Sequence, residues 1–153
     1  MTPSSQHLDL GILLGLAYQQ FAHELRESLT QQGFAEGGRS DGYVLRSLDA
    51  RPMNISELAE RLEISKQGAA QIVDDMQRRE LVERRPDPAD GRAKLLYLTP
   101  LGARTLAAAR DFHHRYERRL IQEHGAQALT GLRALLGAVA TEELLVDPRF
   151  RPI

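Results

Sequence analysis

The chain has no cysteine, no tryptophan, only 5% aromatic residues and almost no net charge. Without cysteine, disulfides, thiolate-ligated zinc and thiol redox sensing are excluded. No apolar run approaches the roughly 18 residues of a membrane span. The first residues, M-T-P-S-S-Q-H-L-D-L, lack a basic stretch followed by an apolar one. No secretory signal is therefore expected, and a cytoplasmic location without membrane contact follows. There is no Gly-rich phosphate loop, no G-x-S-x-G and no H-E-x-x-H, so no enzyme, catalytic residue or cofactor is expected. Twenty basic residues against 21 acidic ones leave −1, which gives no global argument for nucleic-acid binding.

What is present is length and periodicity. A chain of 153 residues, 42% hydrophobic and 27% charged, is ordinary for a soluble domain with a real core. Residues 8–32 place Leu10, Leu13, Leu14, Ala17, Phe21, Leu25 and Leu29 at helical spacing, with Gly33 as terminator. After a Gly-rich loop, Ser40 is positioned to cap a second helix that ends near Ala50, before Pro52. Asn54 and Glu57 have capping-box spacing and start a third helix with Leu58, Ala59 and Leu62 inward. Glu63-Ile64 makes a tight turn, and Ser65 caps a fourth helix whose inner face is Ala69, Ile72, Val73 and Met76. Strands over 81–85 and 94–98 flank P-D-P-A-D-G, a turn-rich segment that favours a protruding hairpin. Thr99-Pro100 opens a fifth helix to about Glu123, and a sixth follows Gly125; the tail D-P-R-F-R-P-I reads as irregular. The expected fold class is mainly α with a small β-hairpin wing, a winged helix-turn-helix between long N- and C-terminal helices.

Two helices, a turn and a hairpin in that order form a unit that offers one helix to the DNA major groove. The fourth helix is then the reading helix. With its apolar face inward, Ser65, Lys66, Gln67 and Gln71 are outward. Gln can pair with adenine through two hydrogen bonds, while Ser and Lys suit phosphates or guanine acceptors. Gly68 and Ala70 let the backbone come close, and Arg78 and Arg79 at the helix end point to flanking phosphates. Arg84 and Arg85 follow on the incoming wing strand, and Asp90-Gly91-Arg92 forms the wing tip. An arginine there fits a narrow minor groove, and Asp90 can hold it by a charge-assisted bond. The bland alternatives are a solvated helix face and a surface turn with a weak ion pair. Over 61–94 the acids Glu63, Asp74, Asp75, Glu80, Glu83, Asp87 and Asp90 nearly balance the cations. A positive surface there requires the acids to face away.

The run L-A-E-R-L-x-I-S-K-Q-x-A-x-Q-I-V-D-x-M-x-R-R-x-L-V-E-R-R-P-D-P-A-D-G-R-A-K-L-L-Y-L-T-P-L-G resembles the MarR family of winged helix-turn-helix transcriptional regulators. The long flanking helices agree with it, so the resemblance spans nearly the whole chain. It implies a single MarR-like domain over 1–153, a DNA-binding lobe over 38–99, and dimerisation helices over 8–32 and 100–141. It also implies a homodimer that binds palindromic double-stranded DNA, commonly as a repressor released by a small ligand. Asp90 and Arg92 take the family's wing-tip positions, with Arg92 entering the minor groove. Two departures stand out. Glu63 occupies a turn position that is often Gly, at a cost of about 1 kcal/mol if left-handed. Gly91 replaces a frequent Arg inside D-x-R.

The apolar stripes of the terminal helices fit a subunit interface, or else a monomeric helical cap. A ligand pocket would draw on Tyr18, His23, Tyr43, His113 and Tyr116. Core packing explains Tyr43 and Tyr116 equally well. His23 and Glu27 share a helix face, and His113 and His114 point apart, so no metal site is expected. The rival function is a winged-helix protein–protein interaction module without specific DNA binding.

Overall fold

The computed structural model describes residues 8–38 and 40–140. The elements run α1 (Leu10–Gln31), α2 (Asp41–Ala50), α3 (Ile55–Leu62), α4 (Lys66–Arg78), β1 (Val82–Pro86), β2 (Lys94–Leu98), α5 (Pro100–His124) and α6 (Ala126–Val139). The chain divides into two compact units, one holding α1 and the other α2 to α6. The tail from residue 147, read as irregular, lies outside the described residues. No helix among them is long and apolar enough to cross a membrane.

In the first unit, α1 ends in a left-handed Gly33 whose N–H donates to Thr30 O, while Phe34 N–H reaches Leu29 O. Those two bonds satisfy carbonyls that the helix end would leave open. None of the α1 residues is buried, and Leu10, Ile12, Leu14 and Leu16 are exposed.

In the second unit, local chemistry sets most element boundaries as the sequence indicates. Asn54 and Glu57 exchange two 2.9 Å hydrogen bonds in a full capping box. Ser65 accepts from Gly68 N–H at 3.0 Å, and Thr99 accepts from Gly102 N–H at 2.9 Å. Glu63 is left-handed (φ 49°), the conformation on which its cost depended, and Glu80 is left-handed too (φ 59°). The expected Ser40 cap does not form, because Ser40 makes no side-chain cap bond. The neighbouring Asp41 carboxylate instead accepts from Gly38 N–H, ahead of the helix, at 3.0 Å. The first strand lies one residue later than the 81–85 expected.

β1 and β2 are antiparallel in the register Val82↔Leu98, Arg84↔Leu96 and Pro86↔Lys94. A bridge from Met53 to Leu96 ties the hairpin to the segment before α3. Val44, Leu45, Leu48, Met53, Leu58, Leu62, Val73, Met76, Leu81, Val82, Leu96 and Leu106 form one buried cluster. Each such side chain contributes roughly 1.5–3 kcal/mol by leaving water. Leu106 brings the start of α5 into that core, whereas α6 has no buried residue.

One close approach fixes the angle at which α5 leaves the wing. A Cβ added to Gly102 would lie 2.1 Å from the Leu81 carbonyl oxygen, which accepts from Thr99 N–H. Backbone on that side cannot yield cheaply. Gly102→Ala should therefore destabilise the fold by about 3 kcal/mol, the upper end for overpacking. Urea unfolding of the two proteins measures it, and an unchanged midpoint would refute the contact.

Candidate nucleic-acid interface

The α4 helix buries Ala69, Val73 and Met76, which leaves the opposite side to solvent. Ser65, Lys66, Gln67 and Gln71 are all exposed there, and Lys66 makes no ion pair among the described residues. Gly68 behaves differently from the expectation of an open backbone approach. Its missing Cβ would touch Ser65 Oγ and Ile64 at 3.3–3.8 Å, so the capping residue and the turn use that space. Ala70 is half-buried.

The wing tip is built by two aspartates that fold the backbone. Asp87 Oδ1 accepts from Ala89 N–H at 2.8 Å, and Asp90 Oδ1 accepts from Arg92 N–H at 3.0 Å. The bond from Asp90 thus goes to the main chain of Arg92 and not to its guanidinium. The exposed Arg92 side chain has no ion-pair partner among the described residues. At the wing root Arg84 bonds Asp74 and Gln77, at 2.7 and 2.8 Å. Arg85 pairs with Glu83 and lies over the Tyr97 ring at 4.8 Å.

The two arginines at the end of α4 separate. Arg78 is 77% exposed and only loosely paired with Asp75 at 3.3 Å, so it can still reach outward. Arg79 is not available for phosphates. Its guanidinium donates to Asp41 at 2.6 and 3.1 Å and to Asp75 at 2.6 and 2.9 Å, with its side chain 17% exposed. The bonds to Asp41 and Asp75 hold its proton more tightly than usual. Sequence alone could not separate the two, since adjacent helix positions look alike until α2 is placed. A shallow cavity of about 250 Å³ lies beside this group, lined by Gly38, Ser40, Asp41, Gln71, Ile72 and Asp75.

The sequence of residues 28–93 matches the family model described as MarR family. YusO from Bacillus subtilis superimposes with a TM-score of 0.68 at 22% identity, covering 90% of this chain and 97% of that one. Apo MarR from E. coli gives 0.65 at 24% identity, covering 88% and 98%. Residues 28–93 of the chain are thus similar to the MarR family. The fold of the chain is that of the solved YusO and MarR proteins. CouR, a transcriptional repressor solved on a 23-mer DNA duplex, matches with TM-score 0.66 at 28% identity, covering 87% and 93%. Among curated proteins none matches the sequence.

The residues expected to line a MarR-type ligand pocket fall in both units. Tyr18 and His23 are on α1, where Tyr18 is 40% exposed and His23 approaches Glu27 at 3.6 Å. In the other unit, Tyr43 of α2 donates to Arg61 O at 3.5 Å. His113 of α5 lies 3.5 Å from the Arg46 guanidinium of α2. Burial, and then the Arg46 charge, push the His113 pKa down. Tyr116 packs on Phe112 with ring centroids 5.7 Å apart and carries Arg119 over its face. Among the described residues no group of three potential metal ligands converges.

Arg79 bridges α2 and the end of α4 with little exposure, so removing it leaves Asp41 without its counter-charge. Arg79→Ala should cost about 2–3 kcal/mol of stability. Thermal unfolding checks this; a loss confined to DNA affinity, with unchanged stability, would return Arg79 to the phosphate contacts.

Proposed function

We propose that this chain is a sequence-specific DNA-binding repressor that acts in the cytoplasm as a homodimer on a palindromic operator and is released by a small-molecule ligand. The observation that carries this reading is the pairing of two outward elements with opposite tasks. The exposed α4 face offers Ser65, Lys66, Gln67 and Gln71, with Arg78 at its end, and the wing tip offers Arg92 without a carboxylate partner. Gln67 and Gln71 can read base edges in the major groove, while Lys66 and Arg78 supply phosphate contacts. Arg92 reaches the neighbouring minor groove, with Asp90 shaping the turn that carries it. CouR and a mutant of S. aureus MepR, both solved on DNA, support it by analogy of fold.

The proposed organisation is one MarR-like domain over 1–153, with residues 38–99 reading DNA and residues 8–32 and 100–141 pairing the subunits. In α6, Leu132, Leu135, Leu136 and Val139 are 41–69% exposed. Apolar rows of that kind in a soluble chain fit a covering partner, and a palindrome calls for a second copy. The ligand is proposed to act on the α2–α5 group that includes Tyr43, His113 and Tyr116. A protein-contact module without DNA binding remains the rival because the net charge is −1.

The test is a fluorescence-anisotropy titration against a duplex selected from a random pool by the wild-type protein, repeated over salt. The selected site should be palindromic, and affinity should fall steeply with salt as counterions are released. Arg92→Ala should weaken binding by about 1–3 kcal/mol with the dimer intact. Absence of saturable, salt-dependent binding would favour the protein-contact module. Leu135→Asp should convert the dimer to a folded monomer in light scattering; a persistent dimer would move the interface off α6.

A further inference from the structure

The reading helix carries two adjacent acids, Asp74 and Asp75, on a surface proposed to meet phosphates. Their side chains serve different partners. Asp75 accepts from Arg79, which continues to Asp41 at the start of α2. Asp74 accepts from Arg84 Nη2 at 2.7 Å, and Gln77 Oε1 accepts from Arg84 Nη1 at 2.8 Å. Positions 74 and 77 are i and i+3, so they share one helix face. Both terminal nitrogens of Arg84 are thus committed to α4, and the side chain is 30% exposed.

Arg84 sits where the wing leaves the core. Val82 is buried, Glu83 and Arg84 are half-buried, and Arg85 and Pro86 are exposed. Arg84 pairs across the hairpin with Leu96, itself buried and bonded to Met53 O at 2.8 Å. Beyond this point the hairpin is a short two-stranded arm, which is marginal on its own. Arg85 and Pro86 continue the strand and the turn carries the chain on to Arg92, an arm of about 10 Å, so a tilt of about 15° at the root shifts the tip by roughly 2–3 Å. That displacement is enough to take Arg92 out of hydrogen-bonding range of a groove.

We infer that Arg84 is a positioning residue, fixing the wing to the reading helix through Asp74 and Gln77, and not a phosphate contact. The inference rests on the DNA-binding reading above and assigns Asp74 a task that favours binding despite its charge. The Arg84–Asp74 pair is partly exposed and contributes little to stability, so variants lacking it remain folded. Its effect lies in where the wing points.

The sign of the Asp74 effect separates the alternatives. Were Arg84 a phosphate contact, Asp74→Ala would remove a repelling charge and tighten binding. As half of a positioning pair, Asp74→Ala loosens it. The experiment titrates the selected duplex with wild type, Asp74→Ala, Arg84→Ala, Arg84→Lys, Arg92→Ala and the Asp74/Arg84 and Arg84/Arg92 double variants, with unfolding midpoints recorded for each. Arg84→Ala and Asp74→Ala should each weaken binding on the order of tenfold, and their double variant no further, as expected for one shared interaction. Arg84→Lys should not restore affinity, because a single ammonium cannot span Asp74 and Gln77 as the guanidinium fork does. Arg92→Ala should cost much less in the Arg84→Ala background, an effect that general destabilisation would not produce. Tighter binding by Asp74→Ala, or additive penalties at Arg84 and Arg92, overturns the assignment. A wild-type chain that selects and binds no duplex instead overturns the DNA reading itself, and this inference with it.

Discussion

The buried face of α4 is the constraint on which the rest depends. Ala69, Val73 and Met76 are fully enclosed with Leu58 and Leu62 of α3, Met53 and Leu96. Because these side chains belong to one face of a 3.6-residue repeat, their burial leaves Ser65, Lys66, Gln67 and Gln71 nowhere to go but outward. Rotating the helix to offer another face would expose several apolar side chains, each costing roughly 1.5–3 kcal/mol. The outward face is therefore set by the core and not by polar contacts of its own.

Charge is organised around that helix by local pairing. An overall charge of −1 is a poor match to a polyanion, and the acids of residues 61–94 nearly equal the cations. Asp74, Asp75 and Glu83 are each engaged by an arginine, and Asp87 and Asp90 fold the wing turn through backbone N–H groups. Lys66, Arg92 and Lys94 are exposed cations without such partners among the described residues, and Arg78 is 77% exposed and only loosely paired.

The helices outside the core follow a different logic. α1 and α6 keep apolar rows at helical spacing yet bury none of their residues within the chain. A second copy of the chain is the occupant proposed for them. α5 is of both kinds, since Leu106, Ala108 and Phe112 are buried while its C-terminal turns carry exposed Ile121.

Much of this was legible in the residues. Helical periodicity marked six helices, and Asn54 with Glu57, Ser65 and Thr99 marked three of their starts, because capping is local chemistry read within three residues. The hairpin followed from two strands around Pro and Asp-Gly. The outward face of α4 followed from its inward one. Contacts between distant segments were another matter. Arg78 and Arg79 look equivalent in sequence, but only Arg79 meets Asp41, 38 positions away. Ser40 looks like the cap of α2 in sequence, yet its side chain makes no cap bond. Glu80 gave no hint of its left-handed backbone. Sequence by itself determined the elements, three of their caps and the inward faces of α3 and α4, since those depend on neighbours within a turn or two. Tertiary structure alone decided which charges are spent on holding α4 in place and which face outward, because a charge's partner is set by packing across the fold.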